Sequence, residues 1–258
     1  MDMVDWPNFR IVDLSVPLMN FSHEPQSTEI VYWDHELFGR QCCRNLGVDP
    51  ADLPDGMGTS SETLKVGSHA GTHLDAPYHY GPLSEGKPAK RIDEVPLEWC
   101  CGDGVVLDFH EKPAGYEIGV QDMKDALDKI DYSLKPMDIV CVRTDADKRY
   151  YKHDFFECFP GVSPEATIWL IEQGIKVTAT DAWGWDVPYK FMKANYDAGK
   201  PNSLWPSHFV AREREYLHVE KLANLDQLPG SGFKISLFPI KIEKASGAWI
   251  RAVAYVPE

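Results

Sequence analysis

The sequence has fewer basic than acidic residues, few cysteines and no long hydrophobic run. Lys and Arg total 26 against 40 Asp and Glu, so the formal net charge is -14. An acidic surface repels nucleic-acid phosphates and anionic membranes, so neither is an expected partner. No stretch reaches the roughly 18 apolar residues of a membrane-spanning helix, and the N-terminus lacks a basic segment followed by an apolar one. We therefore expect no membrane span, no signal peptide and a cytoplasmic location.

The 6 cysteines form no CxxC pair and are too few to build a disulfide framework in 258 residues. Their number is typical of buried free thiols in a reducing compartment. The chain also lacks internal repeats and linker-like changes in composition. We therefore predict one domain that spans residues 1–258.

Hydrophobic patterns predict alternating strands and helices. Strands are predicted at residues 11–18, which alternate apolar and polar side chains, at the apolar runs 105–109 and 139–142, and at residues 177–180. Helical patterns occupy residues 121–130 and 163–173, the second with Ser163 as its N-cap. Two further strands, 235–242 and 250–256, are predicted to form a hairpin through a turn at Ser246–Gly247. This order favours an α/β fold with a mixed sheet, and residues 20–62 are predicted to be a long irregular loop.

Four side chains of the metal-ligand type lie within eleven residues: His69, His73, Asp75 and His79. Their spacings of 4, 2 and 4 are all even, so an extended segment would place them on one face. Gly71 and Pro77 disfavour a long helix. Two imidazoles and a carboxylate suit a catalytic divalent ion with an open position for water. The alternative is that these histidines are structural, and the run is not an HExxH motif.

A second cluster of histidines and glutamates lies downstream. Its members are His208, Glu213, Glu215, His218 and Glu220. Taken alone, this composition is more typical of a charged, solvated helix, with Arg212, Arg214 and Lys221 as ion-pair partners.

The chain resembles the cyclase family of metal-dependent hydrolases, which includes kynurenine formamidases and isatin hydrolases. The family motif HxGTHxDxPxH is matched at all seven fixed positions within residues 69–79. Further similarity lies at Val12–Ser15, 159–170, 237–240 and 251–253. The Trp-rich segment Asp181–Asp186 and the charged segment Ala211–Tyr216 place the chain closer to the isatin hydrolases.

The resemblance implies roles for particular residues and a swivelling β/β/α fold. It makes His69, His73 and Asp75 the primary metal ligands. His208 and Glu220 have the family's spacing, with Glu220 in a V-E-x-L pattern, and become second-metal ligands or acid/base partners. His79 becomes a candidate general base. The implied assembly is a homodimer or homotetramer.

These features predict an enzyme that uses a metal-activated water to open an amide, lactam or cyclic imide of a small aromatic substrate. The expected cofactor is Mn or Zn, one or two ions per subunit. Aromatic side chains expected to bind the substrate ring are Trp33, Trp183 and Trp185. The alternatives are an N-formylkynurenine-type arylformamidase, an esterase, lactonase or cyclase, and a non-catalytic metal-binding protein. The sequence has no serine in a GxSxG motif and no cysteine in the His-rich run, so it supports neither a serine nor a cysteine nucleophile.

Overall fold

The structure is a computed structural model that describes residues 8–20 and 28–258. Contacts divide the chain into two compact units. One comprises Met1–Pro17 with Gly71–Glu258, and the other comprises Leu18–Ala70. The prediction of one domain over residues 1–258 stays a prediction. No helix within the described residues is long and apolar enough to cross a membrane.

The larger unit is built on a mixed sheet that has nine strands within the described residues. Its strands are β1 (Phe9–Asp13), β4 (His73–Asp75), β7 (Cys101–Asp108), β9 (Ile139–Arg143), β11 (Val177–Thr180), β12 (Leu217–Glu220), β13 (Phe233–Ser236), β14 (Gly247–Trp249) and β15 (Val253–Pro257). Their order across the sheet is β1-β15-β13-β7-β9-β11-β12-β4-β14. Neighbours from β7 to β12 are parallel, and the other neighbours are antiparallel. The predicted α/β class with a mixed sheet is confirmed.

Helices and two small strand pairs complete this unit. The helices are α2 (Pro77–Tyr80), α3 (Val120–Lys129), α4 (Pro164–Glu172) and α5 (Tyr189–Asp197). The strand pairs are β5 (Leu83–Ser84) with β6 (Lys87–Pro88), and β8 (Glu117–Ile118) with β10 (Gly161–Val162). The strands β7 and β9 contribute apolar side chains to the cores on both faces of the sheet, as expected when both faces are covered. On one of them, Val105 and Leu107 pack with α3 and α4, while Val106 belongs to the core cluster of the opposite face.

The predicted C-terminal hairpin is wrong in its boundaries. The strand predicted to run to Ile242 ends at Ser236, because the following segment reaches Pro239, which has no N–H to donate to a sheet ladder. Pro239 forms only an isolated bridge with Ile250. Gly247 is not in a turn but begins β14, which pairs with β4.

The smaller unit also differs from its prediction as an irregular loop. Its described part contains β2 (Glu29–Trp33), β3 (Ser61–Lys65) and the helix α1 (His35–Leu46). The Asp34 side chain caps the first turn of α1 by accepting a hydrogen bond from the Leu37 N–H, and Gly47 ends the helix with φ +70°. Residues 21–27 of the predicted loop lie outside the described residues.

Candidate metal centre

Two short antiparallel strands present four ligand-type side chains to one face of the sheet. On β4, His73 and Asp75 are two residues apart, and on β12 the same is true of His218 and Glu220. Side chains at i and i+2 of a strand share a face. The register places His218 opposite Asp75 and Glu220 opposite His73. The intervening Leu74 and Val219 are fully buried in the core cluster of the other face.

Asp75 lies between two imidazoles. Its Oδ1 is 3.3 Å from Nε2 of His73, and its Oδ2 is 3.9 Å from Nε2 of His79. His79 is carried by α2, which Pro77 begins and which follows β4 directly. Asp75, His79 and His208 each place one ligand-type atom within 4.8 Å of the other two. His208 reaches this position from a short 3-10 helix, His208–Arg212.

Glu220 faces three imidazoles. Its Oε1 lies 3.4 Å from Nε2 of both His208 and His218, and its Oε2 lies 3.7 Å from Nε2 of His73. The Glu220 side chain is 10% exposed, so water reaches little of it. By contrast, 34% of the His79 side chain is exposed, which gives that ring access to solvent.

The inner histidines are oriented through their Nδ1 atoms. Nδ1 of His73 donates to the Gly71 carbonyl at 2.9 Å, because a carbonyl can only accept. Nδ1 of His208 lies 2.5 Å from Asp186 Oδ2, and Nδ1 of His218 lies 3.1 Å from the Thr178 hydroxyl. Each ring therefore turns its Nε2 toward the site. Such outer contacts are typical of metal-binding histidines, whose tautomer they fix.

The charges in the site are strongly coupled. Burial raises the pKa of Glu220, but contacts with His208 and His218 outweigh it and hold that pKa well below its ordinary value. Burial lowers the pKa of His208, yet its contacts with the carboxylates of Asp186 and Glu220 raise it to about 10. A positive charge is therefore favoured among the buried carboxylates. Buried charges require such a partner, and a metal cation satisfies the same need.

The residues fit a divalent metal ion. The donor set is imidazole nitrogen and carboxylate oxygen, which suits zinc, manganese or iron. Zinc binds such donors at about 2.0–2.2 Å, and tetrahedral geometry then separates neighbouring donors by about 3.4 Å. The pairs of Asp75 with His73 and His79, and of Glu220 with His73 and His208, are 3.3 to 3.9 Å apart, longer than ordinary hydrogen bonds.

Two of the predicted site residues belong to the smaller unit. His69 is half-buried and immediately precedes Ala70, the last residue of that unit. Trp33 is the last residue of β2 and is 38% exposed. The predicted metal role of His69 and substrate role of Trp33 stay predictions.

The other two predicted tryptophans differ in accessibility. Trp185 is 1% exposed, donates from Nε1 to the Thr167 hydroxyl at 2.9 Å, and packs against His218 with ring centroids 4.8 Å apart. Its substrate role, which would require the ring to become exposed, stays a prediction. Trp183 is half-buried, with edge-to-face contacts to Phe156 and Tyr189. The substrate role of Trp183 stays a prediction.

Three residues that the structure brings to the centre are absent from the predicted site. Sequence patterns place His218 only in a charged cluster, and they assign no role to Asp186 or Thr178. The spacing of His218 and Glu220, two apart between apolar neighbours, is the strand signal that could have placed both on one face. Asp186 and Thr178 gave no local signal, since their contacts join distant segments.

Comparison with known proteins agrees with this architecture. The Cyclase family model matches residues 12–187, and the chain belongs to that family. An isatin hydrolase of Roseibium aggregatum is 27% identical over 207 residues, which cover 76% of this chain and 74% of the relative. A kynurenine formamidase of Bordetella petrii is 27% identical over 190 residues, covering 74% and 78%.

Solved structures show the same fold. An isatin hydrolase bound to the product analogue thioisatinate has a TM-score of 0.77 at 23% identity, covering 97% of this chain and 93% of that one. Isatin hydrolase A from Ralstonia solanacearum has a TM-score of 0.74 at 22% identity, covering 96% and 92%. The family predicted from the His-rich motif is confirmed.

Proposed function

We propose that this protein is a metal-dependent amidohydrolase that opens the carbonyl–nitrogen bond of a small cyclic amide, of the isatin type. The observation that carries the proposal is the convergence of imidazoles and carboxylates from β4, α2, β12 and the 3-10 helix, with only His79 open to solvent. The relatives that are isatin hydrolases and kynurenine formamidases support a C–N bond as the target.

The residues that would hold the ion are His69, His73 and Asp75, with His208 and Glu220 as ligands of a second ion or as acid/base partners. We propose Mn or Zn, one or two per subunit. The bound ion supplies Lewis-acid polarisation of the substrate carbonyl and makes water acidic enough to attack near neutral pH. The protein is proposed to act in the cytoplasm as a homodimer or homotetramer.

His79 is the better candidate for the proton carrier. Hydrolysis adds the oxygen of water to the carbonyl carbon, breaks the C–N bond and delivers a proton to the departing nitrogen. His79 is solvent-accessible, and its Nε2 lies 3.9 Å from Asp75, so it can take the proton from water and return it. Glu220 is enclosed by three histidines, which favours a ligand role over that of a mobile base.

The test is metal content and substrate range on one preparation. Purified protein, reloaded with Mn²⁺ or Zn²⁺ after chelation, is assayed on isatin, N-formylkynurenine, an aryl ester and a lactone. Faster turnover of isatin than of the formamide supports the proposal, and the reverse order makes the protein an arylformamidase. Preference for the ester or lactone would identify an esterase or lactonase. Bound metal without turnover of any of them would favour a binding role, and failure to take up either metal would contradict the proposal.

A further inference from the structure

His218 is a buried histidine that the matched motif does not include. Its side chain is 0% exposed, and the ring lies against the fully buried Trp185. Its Nε2 has no hydrogen-bond partner that meets ordinary geometry among the described residues, and lies 3.4 Å from Glu220 Oε1. A buried nitrogen of this kind is costly unless it has a function or a partner.

We infer that His218 is a positioning residue that holds Glu220 in the geometry for binding metal, by directing an Nε2–H toward its carboxylate. The inference rests on the proposed function, because Glu220 is taken as a metal ligand there. It adds a residue to the site and assigns it a role that is distinct from ligation.

The ring's tautomer follows from its two neighbours. A lone pair on Nε2 would face the lone pairs of the Glu220 carboxylate at 3.4 Å, which is repulsive. A hydrogen on Nε2 makes the same contact attractive and leaves Nδ1 as an acceptor. The Thr178 hydroxyl, 3.1 Å from Nδ1, can then donate to it. Thr178 and His218 thus form a chain of two donors that ends on the carboxylate of Glu220, the proposed metal ligand.

The packing shows that this chain is built into the sheet. Thr178 lies on β11 directly opposite His218 on β12, so the register itself supplies the contact. Trp185 covers the ring of His218 and is fixed by its own hydrogen bond to Thr167. Both neighbours restrict rotation of the imidazole, which favours a fixed direction for its Nε2–H.

Two substitutions separate a hydrogen-bond donor from a metal ligand. The side-chain amide nitrogen of Gln reaches the position of Nε2 and can donate there, whereas that of Asn reaches only the position of Nδ1. For His218→Asn we expect Mn²⁺ to bind about 10- to 100-fold more weakly, the range found when groups that orient ligands are removed. His218→Gln should retain most of the affinity. Thr178→Val should weaken binding in the same direction, and Thr178→Ser should restore it.

The experiment is titration of chelator-treated protein with Mn²⁺ alone, without substrate, by calorimetry. Circular dichroism and thermal unfolding report whether each variant folds, and His110→Asn, an exposed histidine paired with Asp108, is the matched control. Wild-type affinity in His218→Asn, Thr178→Val and His218→Gln alike would overturn the inference and leave the proposed function intact. Equal loss in His218→Asn and His218→Gln, with fewer Mn²⁺ per chain, would make His218 a ligand and also overturn it. No Mn²⁺ or Zn²⁺ uptake by the wild type would instead contradict the proposed function, and the inference with it.

Discussion

His73 and Glu220 face each other across the antiparallel strands β4 and β12, with 3.7 Å between Nε2 of the histidine and Oε2 of the glutamate. The pair joins the His-rich motif to a segment far away in the sequence. Since both strands lie in the main sheet, the distance between the two side chains is set by strand spacing and not by a loop. The register of β4 against β12 therefore sets the geometry of this part of the site.

Replacement of His73 by Ala should abolish metal binding. The change removes one imidazole that faces both Asp75 and Glu220. We expect Mn²⁺ affinity to fall more than about 100-fold, beyond the loss typical of groups that only orient a ligand. Metal analysis and titration check this. The control is His110→Ala, which makes the same substitution at an exposed histidine. Unchanged metal content in a folded His73→Ala protein would contradict the assignment.

Replacement of His79 by Asn should separate metal binding from turnover. His79 is partly exposed and has a proton-carrying role in the proposal, so the variant should bind Mn²⁺ nearly as the wild type does. Its kcat should fall about 100- to 10,000-fold, the usual contribution of a positioned acid or base. Steady-state kinetics on isatin with metal titration measures both. Parallel loss of affinity and kcat would instead make His79 a ligand.

The helices α3 and α4 and the central strands β9 and β11 were predictable because their signals are local. Residues 121–130 show helical spacing, Ser163 caps its helix, and the predicted strand 177–180 matches β11. On β4 the even spacing of His73 and Asp75 correctly indicated a shared face.

Other features could not be read in this way because they depend on distant partners. The contact of His218 with Thr178 comes from the pairing of β11 with β12. The buried strand β12 was not predicted because charged residues lie just before it in the sequence. Helix α1 was missed because most of its surface is polar, and its start and stop signals at Asp34 and Gly47 lie among other turn-forming residues.

Replacement of Asp186 by Asn should weaken metal binding through the tautomer of His208. Asp186 accepts from the backbone N–H of Ser207 and lies 2.5 Å from Nδ1 of His208. If the side-chain oxygen of the new asparagine still accepts from the Ser207 N–H, its NH2 group faces Nδ1 of His208. Nδ1 must then act as the acceptor, so the hydrogen of the His208 ring would lie on Nε2. We expect about 10- to 100-fold weaker Mn²⁺ binding. Titration of this variant beside Asp125→Asn, on the exposed side of α3, checks it, and equal affinities would contradict it.

Replacement of Gly161 by Ala should destabilise the fold around Asp186. A Cβ at this position would lie 2.1 Å from the backbone nitrogen of Val187 and 2.4 Å from the carbonyl carbon of Asp186, so backbone must move. Overpacking of this kind costs about 1–3 kcal/mol. Urea denaturation measures the loss, with Gly119→Ala as the control because its Cβ would have only one neighbour, at 3.7 Å. Equal stability of the two variants would contradict the steric argument.

The stability of the protein should carry a pH dependence that belongs to Asp181. Burial raises the pKa of this carboxyl to about 7, although Thr144 and the N–H of Asp145 donate to it. In the unfolded chain its pKa is about 3.9. Between about pH 4 and pH 7 the folded state therefore holds a proton that the unfolded state has released, so the contribution is full below pH 4 and is lost as the pH rises to 7.

The Asp181→Asn variant isolates this effect. It loses acceptor capacity toward Thr144 and Asp145, so it should be less stable than the wild type at pH 5. Because the variant cannot titrate, the advantage of the wild type should shrink as the pH rises from 5 to 8. Urea denaturation at four pH values in this range measures the difference. Asp103→Asn is the control, since hydrogen bonds from Lys234 and Lys135 lower the pKa of Asp103, which is then ionised throughout. A wild-type advantage that stays constant or grows with pH would show that Asp181 is ionised in the folded protein, with its hydrogen-bond donors outweighing burial.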